Sequence, residues 1–360
     1  MISLLLPLFC GVSRAEDAPL SILVTSPDAG QLLVVNVETG AVDATIRVGD
    51  GPTGLAISEC GDRAVVANSG KTVAGSTLSL VNTTTRQVIR TIHLEGSVGL
   101  SPGKQTFFKP TAVAFLPGAD QLVAASEASQ CLVFVGTRTG RILGAAPFKG
   151  RGASGVIVSP DGSLVFVSHP KSGSVSVVDV ARRQTIKEIK LEAGGTTDMA
   201  LTPDGEQIWV VNGSTNSISV IDVKTQVELL EFASGSYPHD IAFTRDGKLA
   251  LCTNYLSGSI SVYNTGNYKT VTEISLVEAG SIPISSDPNW EGPPPVHPSG
   301  LMFTDPGTEN ERTFVALQGS ERICELDLKT MEVIRTIQLP VKPLELGWSR
   351  TALAFSPKPK

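Results

Sequence analysis

The sequence predicts an all-β fold, a seven-bladed β-propeller of four-stranded blades in which one blade is closed by strands from the N- and C-terminal ends. Three observations lead there. First, "SPDGSLVFVSHPKSGSVSVVDV" (residues 159–180) and "TPDGEQIWVVNGSTNSISVIDV" (residues 202–223) are copies of one pattern, and "TRDGKLALCTNYLSGSISVYN" follows as a third. Their turn glycines Gly162, Gly205 and Gly247 are 43 and 42 residues apart, a period that marks propeller blades. Second, each copy holds four short apolar runs separated by turn residues, the number of strands in a blade. Third, the two ends of the chain are partial copies that complement each other.

Within a copy, strand a is a small-apolar alternation such as "GVIVS" or "DMALT", and strand b follows a Pro-Asp-Gly type turn ("LVFVS", "QIWVV"). Strand c comes after a polar loop ("SVSVVDV", "SISVIDV"), and strand d after a second turn ("TIKEIKL", "VELLEFA"). Asp161-Gly162, Asp204-Gly205 and Asp246-Gly247 supply the positive φ and the side-chain-to-backbone bonding of tight hairpins. Asn82 with Thr85, Asp222 with Thr225, and Asp327 with Thr330 repeat the second turn. These carboxylates are therefore turn formers, not a catalytic pair.

Six copies begin near Pro52, Pro110, Gly152, Gly195, Pro238 and Pro298. At the N-terminus "SILVTS", "QLLVVNV" and "AVDATIRV" read as strands b, c and d without an a. The C-terminal "RTALAFSPKPK" matches strand a in "PTGLAIS" and "PTAVAFL", so joining the ends completes a seventh blade and protects two exposed strand edges. "AVVANSG", "IWVVNGSTNSISVIDVKT" and "LALCTNYLSGSISVYNT" resemble the YVTN-type seven-bladed repeats of exported bacterial and archaeal proteins. That resemblance covers nearly the whole chain after the leader and implies a propeller. It implies no single function, since such propellers include surface-layer, redox-associated and haem-handling members. The copies around "GADQLVAASEASQC" and "DPGTENERTFVALQG" depart most from the pattern.

Composition narrows the function. Charged residues make up 18% and aromatics 5%, with 35 Gly and 23 Pro, as suits many short strands and tight turns. The net charge of −6 argues against nucleic-acid binding, which needs a basic face to neutralise phosphates. "MISLLLPLFCGVSRA" has an apolar run too short to span a bilayer and small residues, Ser13 and Ala15, placed for cleavage. Residues 1–15 are expected to be a signal peptide and residues 16–360 one propeller domain, exported to the periplasm or beyond the cell. Phe9 is bulky where a lipobox carries a small residue, which disfavours lipidation of Cys10. No other segment is long and apolar enough to span a membrane. Cys60, Cys131, Cys252 and Cys324 are scattered singly, without C-x-x-C or C-x-x-C-H, so they are expected to be buried thiols without disulfides or covalent haem.

The d-to-a and b-to-c connections emerge on one face of a propeller. Two d-to-a connections are enlarged there, residues 96–110 and 277–300, and long loops on a rigid scaffold are where function concentrates. Aligned starts of strand a are Gly54, Ala112, Gly155, Asp198, Asp240, Gly300 and Ala352, so two neighbouring blades place a carboxylate where the others have Gly or Ala. His239 precedes Asp240, and His297 lies just before Gly300. Aligned ends of strand b are Asn68, Ala125, His169, Asn212, Asn254, Gln318 and Ser26. The candidate ligand-binding set on this face is thus Asp198, His239, Asp240, His169, Asn212, Asn254 and His297, with Trp290 of "PNWEGPPPVHP" anchoring a stiff loop over the mouth.

G-x-S-x-G occurs once, as "GLSPG" at residues 99–103, in an enlarged d-to-a connection and without the strand-to-helix turn of a nucleophile elbow, and "GKT" at residues 70–72 lacks the upstream Gly of a phosphate loop. The expected function is therefore a non-enzymatic, monomeric, exported propeller that binds a protein partner or small ligand on its loop-bearing face. The alternative is a redox-accessory or enzyme-associated propeller that holds a metal, haem or quinone-related ligand at the channel mouth. No cofactor is specified by the residues, since no H-E-x-x-H type motif accompanies the imidazoles and carboxylates. Export predicts a mature chain beginning at or near Glu16, which intact-mass measurement of the exported fraction checks; a full-length cytoplasmic species would contradict it.

Overall fold

Tight turns set the strand ends. The structure, a computed structural model, describes residues 20–96, 105–277, 296–304, 312–318, 320–340 and 353–357. At the a-to-b turns, Asp161 accepts the Ser163 N–H at 3.0 Å, Asp204 the Glu206 N–H at 3.0 Å, and Asp246 the Lys248 N–H at 3.0 Å. Gly162, Gly205 and Gly247 follow at φ 70°, 74° and 69°, where a side chain would be strained. Hydrogen bonds, led by the Ser159 hydroxyl, the Thr202 hydroxyl and the Lys248 N–H respectively, hold these three carboxyls below their ordinary range. At the c-to-d turns Asn82 accepts the Thr85 N–H and Asp222 the Thr225 N–H. Asp327 makes the equivalent bond with the Lys329 N–H, one residue earlier than the sequence pattern places it.

The described strands form seven four-stranded antiparallel sheets in the order a-b-c-d. Inner strands a of blades 1 to 6 are Pro52–Ile57, Pro110–Phe115, Val156–Val158, Thr196–Leu201, Pro238–Phe243 and His297–Thr304. The seventh sheet runs Val42–Arg47, Gln31–Asn36, Leu20–Ser26, Leu353–Pro357, with Ile22 opposite Phe355. The split blade expected from the partial copies is thus formed. A small extra hairpin, Glu95–Gly96 with Gln105–Thr106, sits in the enlarged connection between blades 1 and 2.

Seven apolar clusters fill the seven junctions between neighbouring blades. Leu78 and Ile92 of blade 1 meet Leu122 and Val133 of blade 2, and Ile22 and Leu33 of the closing blade meet Phe314 and Ile323 of blade 6. Strands b and c are therefore covered on both faces, which is why Gln207–Asn212 and Ser217–Asp222 are almost wholly buried. Strand d faces water at the rim, and Val227–Ala233 alternates strictly between exposed and half-buried. Trp209, fully buried between blades 4 and 5, packs edge-on against Phe232 and Phe243 at 5.2 Å.

Hydrogen bonds cross the junctions around the channel. Thr53 Oγ1 donates to the Thr111 carbonyl (3.3 Å), Thr111 Oγ1 to Ala153 (2.7 Å), Ser154 Oγ to Thr197 (3.2 Å) and Thr197 Oγ1 to Pro238 (3.0 Å). Thr25 Oγ1 makes the crossing from the closing blade to Thr53 at 3.4 Å. An ionic lock joins blade 6 to the closing blade. Glu325, 3% exposed, takes Arg312 at 2.5 and 2.9 Å and Arg335 at 2.7 Å. Arg312 also reaches the Glu38 carboxylate at 2.5 Å, and Arg335 the Glu38 carbonyl at 3.0 Å and the Val37 carbonyl.

Cys131, Cys252 and Cys324 are buried free thiols, and burial pushes Cys131 and Cys324 up to about 12. Cys60 departs from the expectation of no disulfide: it is disulfide-bonded. It lies exposed on the a-to-b turn of blade 1, away from the strand layers where the other three are enclosed. The leader at residues 1–15, with Cys10, lies outside the described residues.

Two outcomes follow from closure. Deleting residues 350–360 removes the inner strand paired with Leu20–Ser26 and should abolish the single cooperative unfolding transition; an unchanged melt would contradict this pairing. Glu325→Ala leaves two arginines at the junction without their carboxylate and should cost about 3 kcal/mol in denaturant unfolding. Glu325→Gln should lose less.

Candidate functional site

The start of strand a carries a recurrent irregularity. Pairing with strand b slips between Pro52 and Leu55, Pro110 and Ala112, Thr196 and Asp198, Pro238 and Asp240, and Pro298 and Leu301. Such bulges re-aim side chains. The residue inside the bulge (Thr53, Thr111, Thr197, His239) reaches sideways to a carbonyl of the next blade. The residue after it (Gly54, Ala112, Asp198, Asp240, Gly300) lines a cavity of about 200 Å³ at the channel mouth.

Three of the expected site residues meet there: Asp198, His239 and Asp240. Asp240 Oδ1 accepts its neighbour Ile241 N–H at 2.7 Å, and Oδ2 accepts the Leu301 N–H of blade 6 at 2.8 Å. The carboxylate thus ties blades 5 and 6 together while edging the cavity. His239 stands where other blades have Thr or Ser, and its Nδ1–H donates to the Ser299 carbonyl at 3.4 Å. Burial, then the nearby Asp240 and Asp198 charges, pushes the Cys252 thiol up, which puts both carboxylates in the neighbourhood of one buried group. Gly54, Leu55, Ala112 and Val113 of blades 1 and 2 form an apolar wall of the same cavity.

Beside the cavity lies an aromatic cluster. His239 stacks on Tyr255 at 5.5 Å and 28°, and His297 on the same ring at 4.4 Å and 9°. His297 Nδ1–H donates to the Tyr255 carbonyl at 3.1 Å, and Tyr237 sits edge-on to Tyr255 at 6.1 Å. Burial holds the His297 imidazole below its ordinary value and raises the phenols of Tyr237 and Tyr255.

The strand-b residues go elsewhere. Asn212 Nδ2 donates to Ser219 Oγ at 2.9 Å and Asn254 Nδ2 to Ser261 Oγ at 2.8 Å, both wholly buried within their blades. Asn68 does the same with Ser79 at 3.1 Å. His169 replaces this Asn in blade 3: its Nε2 meets Ser176 Oγ at 2.6 Å, and that hydroxyl donates to Glu188 at 2.7 Å. The backbone of Gly150 presses on the ring, where a Cβ would come within 2.2 Å. His169, Asn212 and Asn254 thus do not line the cavity. In blade 2 the matching residue is Ser126, paired with Pro110, one position beyond the Ala125 that sequence alignment selects. Trp290 and Ala352 lie outside the described residues.

Sequence reasoning missed the inter-blade role of the bulge residues, naming only His239 of them as a candidate, and missed Tyr255. The former carried a signal, a Thr, Ser or His directly after Pro in "PT", "PH" and "PS" at residues 52–53, 110–111, 238–239 and 298–299. Tyr255 carried none, since its b-to-c loop position holds unrelated residues in the other copies, such as Glu127, Pro170 and Gly213. Among the described residues no group of three His, Cys, Asp or Glu side chains is placed to hold a metal ion.

The profile of the family described as YNCE-like beta-propeller matches residues 106–284, in accord with the YVTN-type resemblance read from the repeats. No curated protein matches the sequence significantly. Among solved structures, the chain is similar to a functionally unknown protein from Desulfotomaculum acetoxidans (TM-score 0.70, 15% identity, 94% of this chain and 99% of that one). It is also similar to Kuenenia stuttgartiensis hydrazine synthase (TM-score 0.65, 16% identity, 80% of this chain and 87% of that one). At these identities the likeness is one of fold.

His169 gives this face an acid sensitivity. Burial, against the opposing pull of Glu188, lowers its value from 6.5 to about 4, and Nδ1 is buried without a partner. The unfolded chain therefore binds the proton more readily, so stability present above pH 6.5 is lost as pH falls towards 4, by about 3 kcal/mol at the limit. His169→Asn restores the residue used in blades 1, 4 and 5 and should flatten the melting temperature across pH 6.5 to 4. Equal acid sensitivity in both proteins would contradict the assignment.

Proposed function

We propose that the protein is an exported, non-enzymatic binding propeller that receives a small ligand in the cavity at the mouth of its central channel. The observation that carries this reading is the convergence of Asp198, His239 and Asp240 on one cavity opposite an apolar wall, the two aspartates at positions where other blades have Gly or Ala. Ligand sites combine apolar surface with a few convergent polar groups. A binding role is favoured over catalysis by the lining chemistry. Ser299 has the one hydroxyl among the described lining residues, and it turns its Oγ to the Ala316 carbonyl at 3.5 Å, not to His239. Export rests on the apolar leader and its small-residue cleavage pattern.

Native mass spectrometry of protein purified from its own host tests the reading. The expected result is a small-molecule adduct that Leu55→Trp, which fills the apolar wall, displaces while unfolding stays cooperative. An adduct-free protein that takes up nothing from a metabolite extract overturns it. A co-purifying protein partner that Leu55→Trp does not displace also overturns it, moving function to the outer loops of the face.

A further inference from the structure

We infer that the ligand is a small organic cation, an ammonium group carried on an apolar body; this rests on the cavity being the ligand site proposed above. Size comes first. At about 200 Å³ the cavity lies below the roughly 300–1,000 Å³ of pockets for drug-sized molecules, so the occupant is small. Charge comes next. The ionisable side chains of the lining are Asp198, Asp240 and His239, with no Lys or Arg among them, which disfavours an anion.

Hydrogen-bond type then narrows the choice. Both carboxylates are acceptors. His239 must carry its proton on Nδ1 to donate to the Ser299 carbonyl, which makes Nε2 an acceptor-type atom when the ring is neutral. The polar side chains of blades 4 and 5 thus offer acceptors, the complement of an ammonium, which has donors only. Asp240 is held in place by the Ile241 and Leu301 N–H groups, one on each oxygen. Those bonds fix its direction before any ligand arrives. Across the cavity Leu55, Val113 and Val156 supply apolar surface for a hydrocarbon body.

The asymmetry is built in by the backbone. At Gly54, a Cβ would come within 2.6 Å of the Thr111 carbonyl oxygen, so blade 1 has no room for a side chain at this level. Acidic groups can therefore line the blade 4 and 5 side and not the blade 1 side, giving the ligand one orientation, ammonium towards Asp198 and Asp240.

The test compares n-butylammonium, 1-butanol and butyrate at pH 7 by saturation-transfer NMR and calorimetry on the full protein, with Asp198→Asn, Asp240→Asn and Leu55→Trp. Saturable binding of butylammonium, at least tenfold tighter than butanol, is expected, with no binding of butyrate. Asp198→Asn should weaken it at least tenfold while unfolding stays cooperative. Asp240→Asn should weaken it as well, with a lowered melting temperature from the blade 5–6 tie. Equal binding of butanol, or preference for butyrate, displaced by Leu55→Trp in either case, overturns the cation assignment and leaves the cavity reading standing. Butylammonium binding untouched by Asp198→Asn and Leu55→Trp places the cation elsewhere and overturns the inference. Binding of none of the three overturns the inference and, when Leu55→Trp also leaves metabolite uptake unchanged, the cavity reading with it.

Discussion

The side-chain-to-carbonyl bond that crosses from one blade to the next at the start of strand a is the constraint on which the architecture turns. A blade is a four-stranded sheet that cannot bury its faces alone, and apolar packing between blades is non-directional. The clusters at the seven junctions bring neighbours together without fixing their rotation about the channel. A hydroxyl reaching a named carbonyl does fix it. Thr53, Thr111, Ser154 and Thr197 make that contact at 2.7–3.3 Å, in the innermost layer where a small rotation moves the donor out of range. Each bond contributes about 1 kcal/mol net, so the belt matters more as a register device than as a source of stability.

The same device positions the candidate site. In blades 2, 4 and 5 a bulge in strand a sends one residue sideways and turns the following residue into the channel. Whatever occupies that following position becomes lining. In most copies it is Gly or Ala, and the lining is then backbone or a methyl group; in blades 4 and 5 it is Asp198 and Asp240. In blade 5 the sideways residue has changed too. His239 keeps the inter-blade contact through Nδ1 while adding a ring that stacks on Tyr255 and edges the cavity. Fold and site therefore draw on one stretch, Pro238-His239-Asp240, and the chemistry is an addition to a structural contact already needed.

The propeller was legible because its signals are local and repeated. Asp-Gly turns, alternating strands and the 42–43-residue period fix the blade, and "RTALAFSPKPK" could be matched to strand a by its pattern alone. Channel lining was legible for the same reason, since equivalent positions in a repeat occupy equivalent places. The strand-b ends show where that logic stops. His169, Asn212 and Asn254 do share one level, but equivalence of level says nothing about direction, and their side chains turn into the blade to bond Ser176, Ser219 and Ser261. Tyr255 was invisible because loops have no period. The bond of Cys60 was invisible because a turn cysteine sits outside the strand pattern used to judge the others.

A seven-fold scaffold makes seven similar positions, and a binding site needs them to differ. Symmetry has to be broken where the scaffold tolerates it. Around Gly54 the neighbouring backbone closes to 2.6 Å from a would-be Cβ, so that copy is confined to glycine by its own belt. Blade 2 takes an Ala at the same level, and blades 4 and 5 take a full carboxylate. The spacing between strand a and its neighbour thus sets which copies can carry chemistry. Asp240 shows how the added group is kept from weakening the scaffold. Its two oxygens satisfy the N–H groups of Ile241 and Leu301, so a charge placed at the junction is anchored to the strand it would otherwise disturb. The polar wall is stable because it has become part of the inter-blade belt, and it faces the cavity because the bulge that makes the belt leaves it no other direction.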